Sequence, residues 1–205
     1  LGIQAWQMQA RPRSGEGRRQ QETPVLQDRD FDAGRFRRAL GEYGTGVTVI
    51  TTRAGEQPFG MTSNSFASVS LDPPLVLWSI RRESTCFDVF AGCTHFAVNV
   101  LSAGQIALSR RFAQTGPGRF RDLTWRDGAG GAPVLEGVVA SFQCRTHCTY
   151  DGGDHLILVG EVLGCDRHAG QPLLYSRGRY AVAVEHPDTG GLEPPDDPRG
   201  TAASE

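Results

Sequence analysis

The sequence predicts a mainly β fold, an antiparallel barrel whose openings are covered by a few short helices. Three observations carry that expectation. Strand-length runs of β-branched and apolar residues recur between Val47 and Val184, without the regular helical alternation of a βαβ chain. No G-x-G-x-x-G follows any of these runs, so a Rossmann-type dinucleotide site is disfavoured and any nucleotide must be held in another way. The length of 205 residues, with 39% hydrophobic and 21% charged side chains, suits one globular domain with tails.

The elements follow in order. Asp32 can cap a short helix through Leu40, with Phe36, Ala39 and Leu40 on one face and Gly41 near its end. Val47 to Thr52 is β-branched throughout, and turn-prone Gly55 to Pro58 separates it from a second extended stretch around Gly60 to Ser70. Pro73-Pro74 breaks the chain before Leu75 to Ile80, an apolar run short enough to be a buried, central strand. Ser84 or Thr85 can cap a helix to Ala91, ended by Gly92, before a further strand from His95 to Leu101. Ser102 to Gln105 has capping-box spacing and opens a helix through Leu108 to Phe112. Val138 to Tyr150, His155 to Cys165 and Arg179 to Val184 return to β character between Gly and Asp turns.

Residues 1–30 carry Pro, Gly, Gln and charges without apolar periodicity, and 186–205 are rich in Pro, Gly and Asp. Both read as disordered tails, leaving 31–185 as the folded unit. Twenty-one basic against 23 acidic residues give a net charge of −2, which lacks the basic field expected of a nucleic-acid binder. The basic residues are all Arg, so Schiff-base chemistry, a phosphate-loop lysine and a lysine general base are excluded. No apolar stretch approaches the ~20 residues of a membrane-spanning helix. The apolar run of Leu1 to Ala10 precedes Arg11, Arg13, Arg18 and Arg19, the reverse of a signal peptide. The five cysteines are odd in number, and reduced thiols in the cytoplasm are expected.

Three segments can carry chemistry. In Gly60 to Ser70, the small polar residues Thr62, Ser63, Asn64 and Ser65 stand where a core strand would be apolar, with Phe66 beside them. That mixture suits a planar, amide-rich ligand with a polar edge and an apolar face, or else a surface strand whose hydroxyls face water. Arg81-Arg82-Glu83-Ser84-Thr85, between a strand and a helix, suits a phosphate with Arg111 as another contributor, or a plain helix cap beside solvated arginines. Asp151-Gly152-Gly153-Asp154-His155 puts a histidine at the mouth of a strand after two glycines, placed to orient a second substrate or to serve only as a turn residue. Cys144 and Cys148 with His147 and His155 make a poor zinc set, because strand alternation sends His147 and Cys148 to opposite faces. There is no G-x-S-x-G elbow for a hydrolase.

In these same segments the chain resembles the short-chain flavin reductases, the reductase components of two-component flavin-dependent monooxygenases. The motifs are Gly60 to Phe66 with Ser68 to Pro74, Phe96 to Leu101, Arg111-Phe112-Ala113, Gly153-Asp154-His155, Pro172 to Tyr175, and Arg177-Gly178-x-Tyr180. The resemblance implies a Greek-key split barrel, FAD or FMN as flavin, NADH or NADPH as hydride donor, a homodimer, and delivery of reduced flavin to a separate monooxygenase. It implies that Thr62, Ser63, Asn64, Ser65 and Phe66 line the flavin, with Ser79, Ile80 and Arg81 close by and Ser84, Thr85, Arg111 and Phe112 completing the cofactor site. It places Gly153, Asp154 and His155 at the nicotinamide, with Arg177 and Tyr180, and makes His155 the residue nearest the chemistry. A split-barrel module that binds flavin without turnover is the competing expectation, which fold alone does not separate.

Overall fold

A computed structural model of the chain describes residues 32–116 and 118–187. The predicted tails lie outside these residues, apart from His186 and Pro187. Chain order is α1 (Ala33–Gly41), β1 (Thr45–Gly46), β2 (Thr48–Ala54), β3 (Gln57–Ser63), β4 (Ala67–Leu71), β5 (Pro74–Arg81), α2 (Phe87–Ala91), β6 (His95–Val100), a 3-10 turn (Ala103–Gln105), α3 (Ile106–Ala113), β7 (Trp125–Asp127), a second 3-10 turn (Ala129–Gly131), β8 (Pro133–Leu135), β9 (Ala140–Gly152), β10 (His155–Arg167), β11 (Leu173–Ser176) and β12 (Arg179–Val182).

Seven strands pair in the order β3-β2-β6-β9-β10-β5-β4, antiparallel throughout. Their inward residues close around one core. Ile50 of β2, Val76, Trp78 and Ile80 of β5, Phe96 of β6 and Leu158 of β10 form a single cluster, on which Phe59 and Met61 of edge strand β3 also pack. Residues from both sides of the strand order thus share one interior, which curls the sheet into a barrel. Each such side chain taken from water contributes roughly 1.5–3 kcal/mol. A second cluster, Val47, Val49, Leu101, Phe112 and Leu173, joins the barrel to the small sheet β1-β11-β12.

Burial is not purely apolar. Asn99 of β6 is fully buried, its amide donating to Val49 O and Thr51 Oγ1 (both 3.1 Å) while its Oδ1 accepts from Leu135 N at 2.8 Å. This side chain ties β8 to the sheet, which gives the Phe96 to Leu101 motif a structural role.

Several expectations change. Asp32 caps α1, accepting from Gly34 N (2.8 Å) and Arg35 N (3.0 Å), but the helix buries none of its residues, and Phe36 and Leu40 remain 49% and 57% exposed. The stretch Gly60 to Ser70 is two strands, parted at Asn64-Ser65-Phe66. β5 is not central but one strand in from the β4 edge; it is buried because α2 covers it, with Phe90 edge-on to Trp78 at 5.0 Å. Ser84 and Thr85 do not cap α2, whose N-cap is Cys86 without a side-chain bond. β1, β7, β8 and β11 are short strands that periodicity did not mark.

Candidate functional site

The break after β3 is built from hydroxyls. Ser65 Oγ accepts from Ser79 N (2.9 Å), donates to Ser79 O (3.1 Å) and lies 2.9 Å from Ser63 Oγ, while Thr62 Oγ1 donates to Ser109 O at 2.6 Å. Ser65 thereby takes the place of a missing strand neighbour, bonding both backbone groups of Ser79. The hydroxyls of Thr62 and Ser65 are occupied holding the wall together. Asn64 differs: it is exposed and makes no side-chain hydrogen bond among the described residues. It lines a cavity of about 210 Å³ with Thr62, Ser63, Ser109 and Tyr180, and an adjoining one of about 310 Å³ with Tyr43, Tyr175 and Arg177.

A larger cavity, about 400 Å³, lies between the β2–β3 turn and the loop before α2. Thr85 lines it with Gln57, Phe59, Gly60, Arg119 and Arg121, and no carboxylate is in the lining among the described residues. Arg119, half-buried, donates to Gly60 O at 2.6 Å and approaches Cys86 Sγ at 3.6 Å. Ser84 Oγ accepts from Cys86 N at 3.3 Å. Arg111, expected beside Thr85, instead donates to Arg121 O (2.9 Å) and lines another cavity with Asp122 and Glu136. The cations that share a cavity with Thr85 are therefore Arg119 and Arg121. No spacing marks them, since a loop carries them to β3 only in the folded chain.

The β9–β10 hairpin presents Asp151 to His155. Gly153 has φ of +76°, a conformation that favours glycine, and its N–H donates to Asp151 Oδ1 at 2.8 Å. His155 Nδ1 lies 2.7 Å from Asp154 Oδ1, with the imidazole 36% exposed. The Gly153 N–H and then the Arg82 guanidinium hold the Asp151 carboxyl below the usual Asp range; the His155 hydrogen bond and charge, with Arg81 adding less, do the same for Asp154. His155 is the register partner of Arg81, as Ile157 is of Ser79. Ser65, Ser79, Arg81 and His155 thus follow one another along the end of β5.

Other expected site residues separate from this line. Ile80 and Phe112 are core side chains, 0% and 1% exposed, because β5 and α3 turn them inward. A ligand would meet Ile80 through its backbone only. Tyr180 bonds Ser109 (3.0 Å) and Arg177 pairs with Glu42 (2.6 Å), so both lie with Asn64 rather than with His155. Phe66 is half-buried, its ring 5.4 Å from that of Phe142.

Neutral hydroxyls and an amide line the cavity beside Tyr180, and arginines without carboxylates line the one beside Thr85. Those donors fit a polar ring system in the first and an anionic phosphate in the second, as a flavin nucleotide would require. Residues 40–183 match the flavin reductase-like domain. The chain belongs to the flavin reductase-like family.

Within that family it is 52% identical over 145 residues to the FMN reductase (NADH) SmoA of Agrobacterium fabrum, covering 71% of this chain and 83% of that one. It is 41% identical over 165 residues to an NADH-dependent FAD reductase of Streptomyces globisporus, covering 78% and 90%. The solved structure of the Streptomyces globisporus C-1027 NADH:FAD oxidoreductase SgcE6, in complex with NAD and FAD fragments, matches with a TM-score of 0.71 at 41% identity, over 77% of this chain and 94% of that one. The flavin reductase-like match thus spans the barrel, the polar break and the Gly153-Asp154-His155 turn.

Proposed function

We propose that this chain is an NAD(P)H:flavin oxidoreductase that reduces FAD or FMN and supplies the reduced flavin to a separate monooxygenase component. The observation that carries the reading is the placement, along one end of β5, of the polar break at Thr62 to Phe66 and the Gly153-Asp154-His155 turn, in a chain of this family. The bound nucleotides supply the hydride donor and acceptor. The protein's task is to hold two rings in register and exclude other geometries.

The named residues suit that task. Asn64, with an uncommitted amide, serves the polar edge of the flavin, and Thr62, Ser63, Ser65 and Phe66 shape the wall behind it. Ser79 and Arg81 lie beside them. Thr85 and Ser84, with Arg119 and Arg121, receive the phosphate; Arg111 and Phe112 support that side from α3. His155, steadied by Asp154 and following Gly153, meets the nicotinamide amide or charge. Tyr180 and Arg177 border the flavin side. The two named relatives use NADH, which we take as the preferred donor here.

We also expect a homodimer, supported by the exposed Leu40 and Tyr43 on and beside α1 and Val69 and Leu71 on β4. A cytoplasmic setting accords with five free cysteines.

The decisive experiment follows NADH and NADPH oxidation by purified protein, with FMN or FAD added in turn. Turnover that depends on added flavin is expected. Flavin binding without oxidation in any pairing would leave a passive flavin-binding module.

A further inference from the structure

Arg82 has no place among the residues assigned to the flavin or the nicotinamide, yet it joins the two halves of the site. Its backbone N–H donates to Asp154 O (2.9 Å), its Nε–H to Gly153 O (3.0 Å) and its Nη2 to Asp151 Oδ2 (3.0 Å). One residue at the end of β5 thus grips three positions of the hairpin that carries His155. On its other side the chain runs at once into Ser84 and Thr85, and the guanidinium sits over the Phe87 ring at 5.8 Å. The side chain is part-exposed, 41%, so simple core packing does not account for it. Two of its bonds are to backbone carbonyl and carboxylate in the fork geometry that Arg offers and Lys does not.

From this geometry we propose that Arg82 is a positioning residue for hydride transfer, setting the Gly153-Asp154-His155 turn against the flavin-side loop and thereby the affinity for NAD(P)H. This rests on the reading of that turn as the nicotinamide contact. The guanidinium gives its hydrogen bonds to the turn and none to residues 83–85. Truncation therefore removes the two guanidinium bonds to the turn and leaves its main-chain bond from Arg82 N to Asp154 O and the chain of residues 83–85 in place.

The test compares wild type with Arg82→Met, Arg82→Lys, Asp151→Asn and His155→Ala. Steady-state NADH oxidation, flavin affinity by fluorescence quenching and thermal melting are measured for each. Arg82→Met should raise KM for NADH by roughly tenfold with kcat changed less and flavin affinity within about twofold. Arg82→Lys should restore little of it, because a single ammonium nitrogen does not reproduce the planar Nε and Nη2 fork that reaches Gly153 O and Asp151 from separate nitrogens. Asp151→Asn, an isosteric change on an exposed turn, should give a smaller rise in the same direction and covers the case in which Arg82→Met fails to fold. A folded Arg82→Met with unchanged KM, or equal loss of flavin and NADH affinity, would overturn the proposal. His155→Ala with unchanged KM beside a raised KM in Arg82→Met would instead remove the histidine contact and leave the role of Arg82 standing.

Discussion

At the scale of single residues, the turn that carries His155 is held by carboxylates that lose their charge only below the ordinary Asp value. Asp151 and Asp154 both have carboxyls held below the ordinary Asp value of 3.8, through the Gly153 N–H and Arg82 in one case and His155 in the other. A depressed carboxyl contributes its contact fully above the ordinary value and loses it only as pH falls through the lower, folded one. The Asp151 carboxylate therefore stays charged, and free to hold Gly153 and Arg82, across the neutral range. Following the Gly153 amide resonance with pH should show an acid transition with its midpoint below 3.8, and Asp151→Asn should abolish that transition. A midpoint at or above the ordinary value would mean the Gly153 and Arg82 bonds are not held in solution.

Residue identity made the Gly-Asp-His turn visible in the sequence, because glycine at positive φ followed by Asp and His is a local pattern. The partner that grips it was not visible as such. Arg82 reads as one more arginine in Arg81-Arg82-Glu83, and only the antiparallel pairing of β5 with β10 brings it to Gly153. Arg119 is a similar case, lying 59 positions from the Gly60 carbonyl it bonds.

At the scale of elements, the hairpin β9–β10 decides where His155 stands, and Gly160 lets it pack. The β10–β9 register shifts between Val159 and Gly160, and a Cβ at Gly160 would clash with Phe96 Cζ and come within 2.9 Å of Cys144 Cβ. Backbone freedom is not the reason for glycine here; close approach of β10 to β6 and β9 is. Gly160→Ala should destabilise the fold by about 1–3 kcal/mol through overpacking, read as a lower midpoint in denaturant with an unchanged slope. A midpoint equal to wild type would show that Phe96 yields at no cost.

The element order was largely legible, since β-branched runs and Pro-Pro or Gly-Asp breaks are local signals. The hydroxyl-rich stretch was harder. Its polarity pointed to a ligand, and part of that polarity proves to be architecture: Ser65 satisfies Ser79, and Thr62 satisfies Ser109 O. The same residue types serve both purposes, so composition alone could not divide them. Asn64, unbonded among the described residues, is the member left for a ligand.

At the scale of the whole molecule, apolar side chains exposed among the described residues include Leu40 and Tyr43 at the α1 end and Val69 and Leu71 on edge strand β4. An edge strand with open backbone groups beside exposed apolar residues is a surface that another chain can cover. Sedimentation equilibrium should give a dimer, and Leu40→Glu with Leu71→Glu should shift it toward monomer; a wild-type monomer that still reduces flavin would remove the dimer from the account. No helix among the described residues is long and apolar enough to cross a membrane.

The sequence by itself determined the fold class, the family, the polar break and the Gly153-Asp154-His155 turn, because each is written in contiguous residues whose propensities and chemistry act locally. The tertiary structure decided which arginines face which cavity, that Ile80 and Phe112 belong to the core, that Tyr180 and Arg177 sit with Asn64, and that Arg82 clasps the turn. Those facts depend on strand pairing across long separations, where register and closure of the sheet, rather than any local preference, choose the neighbours.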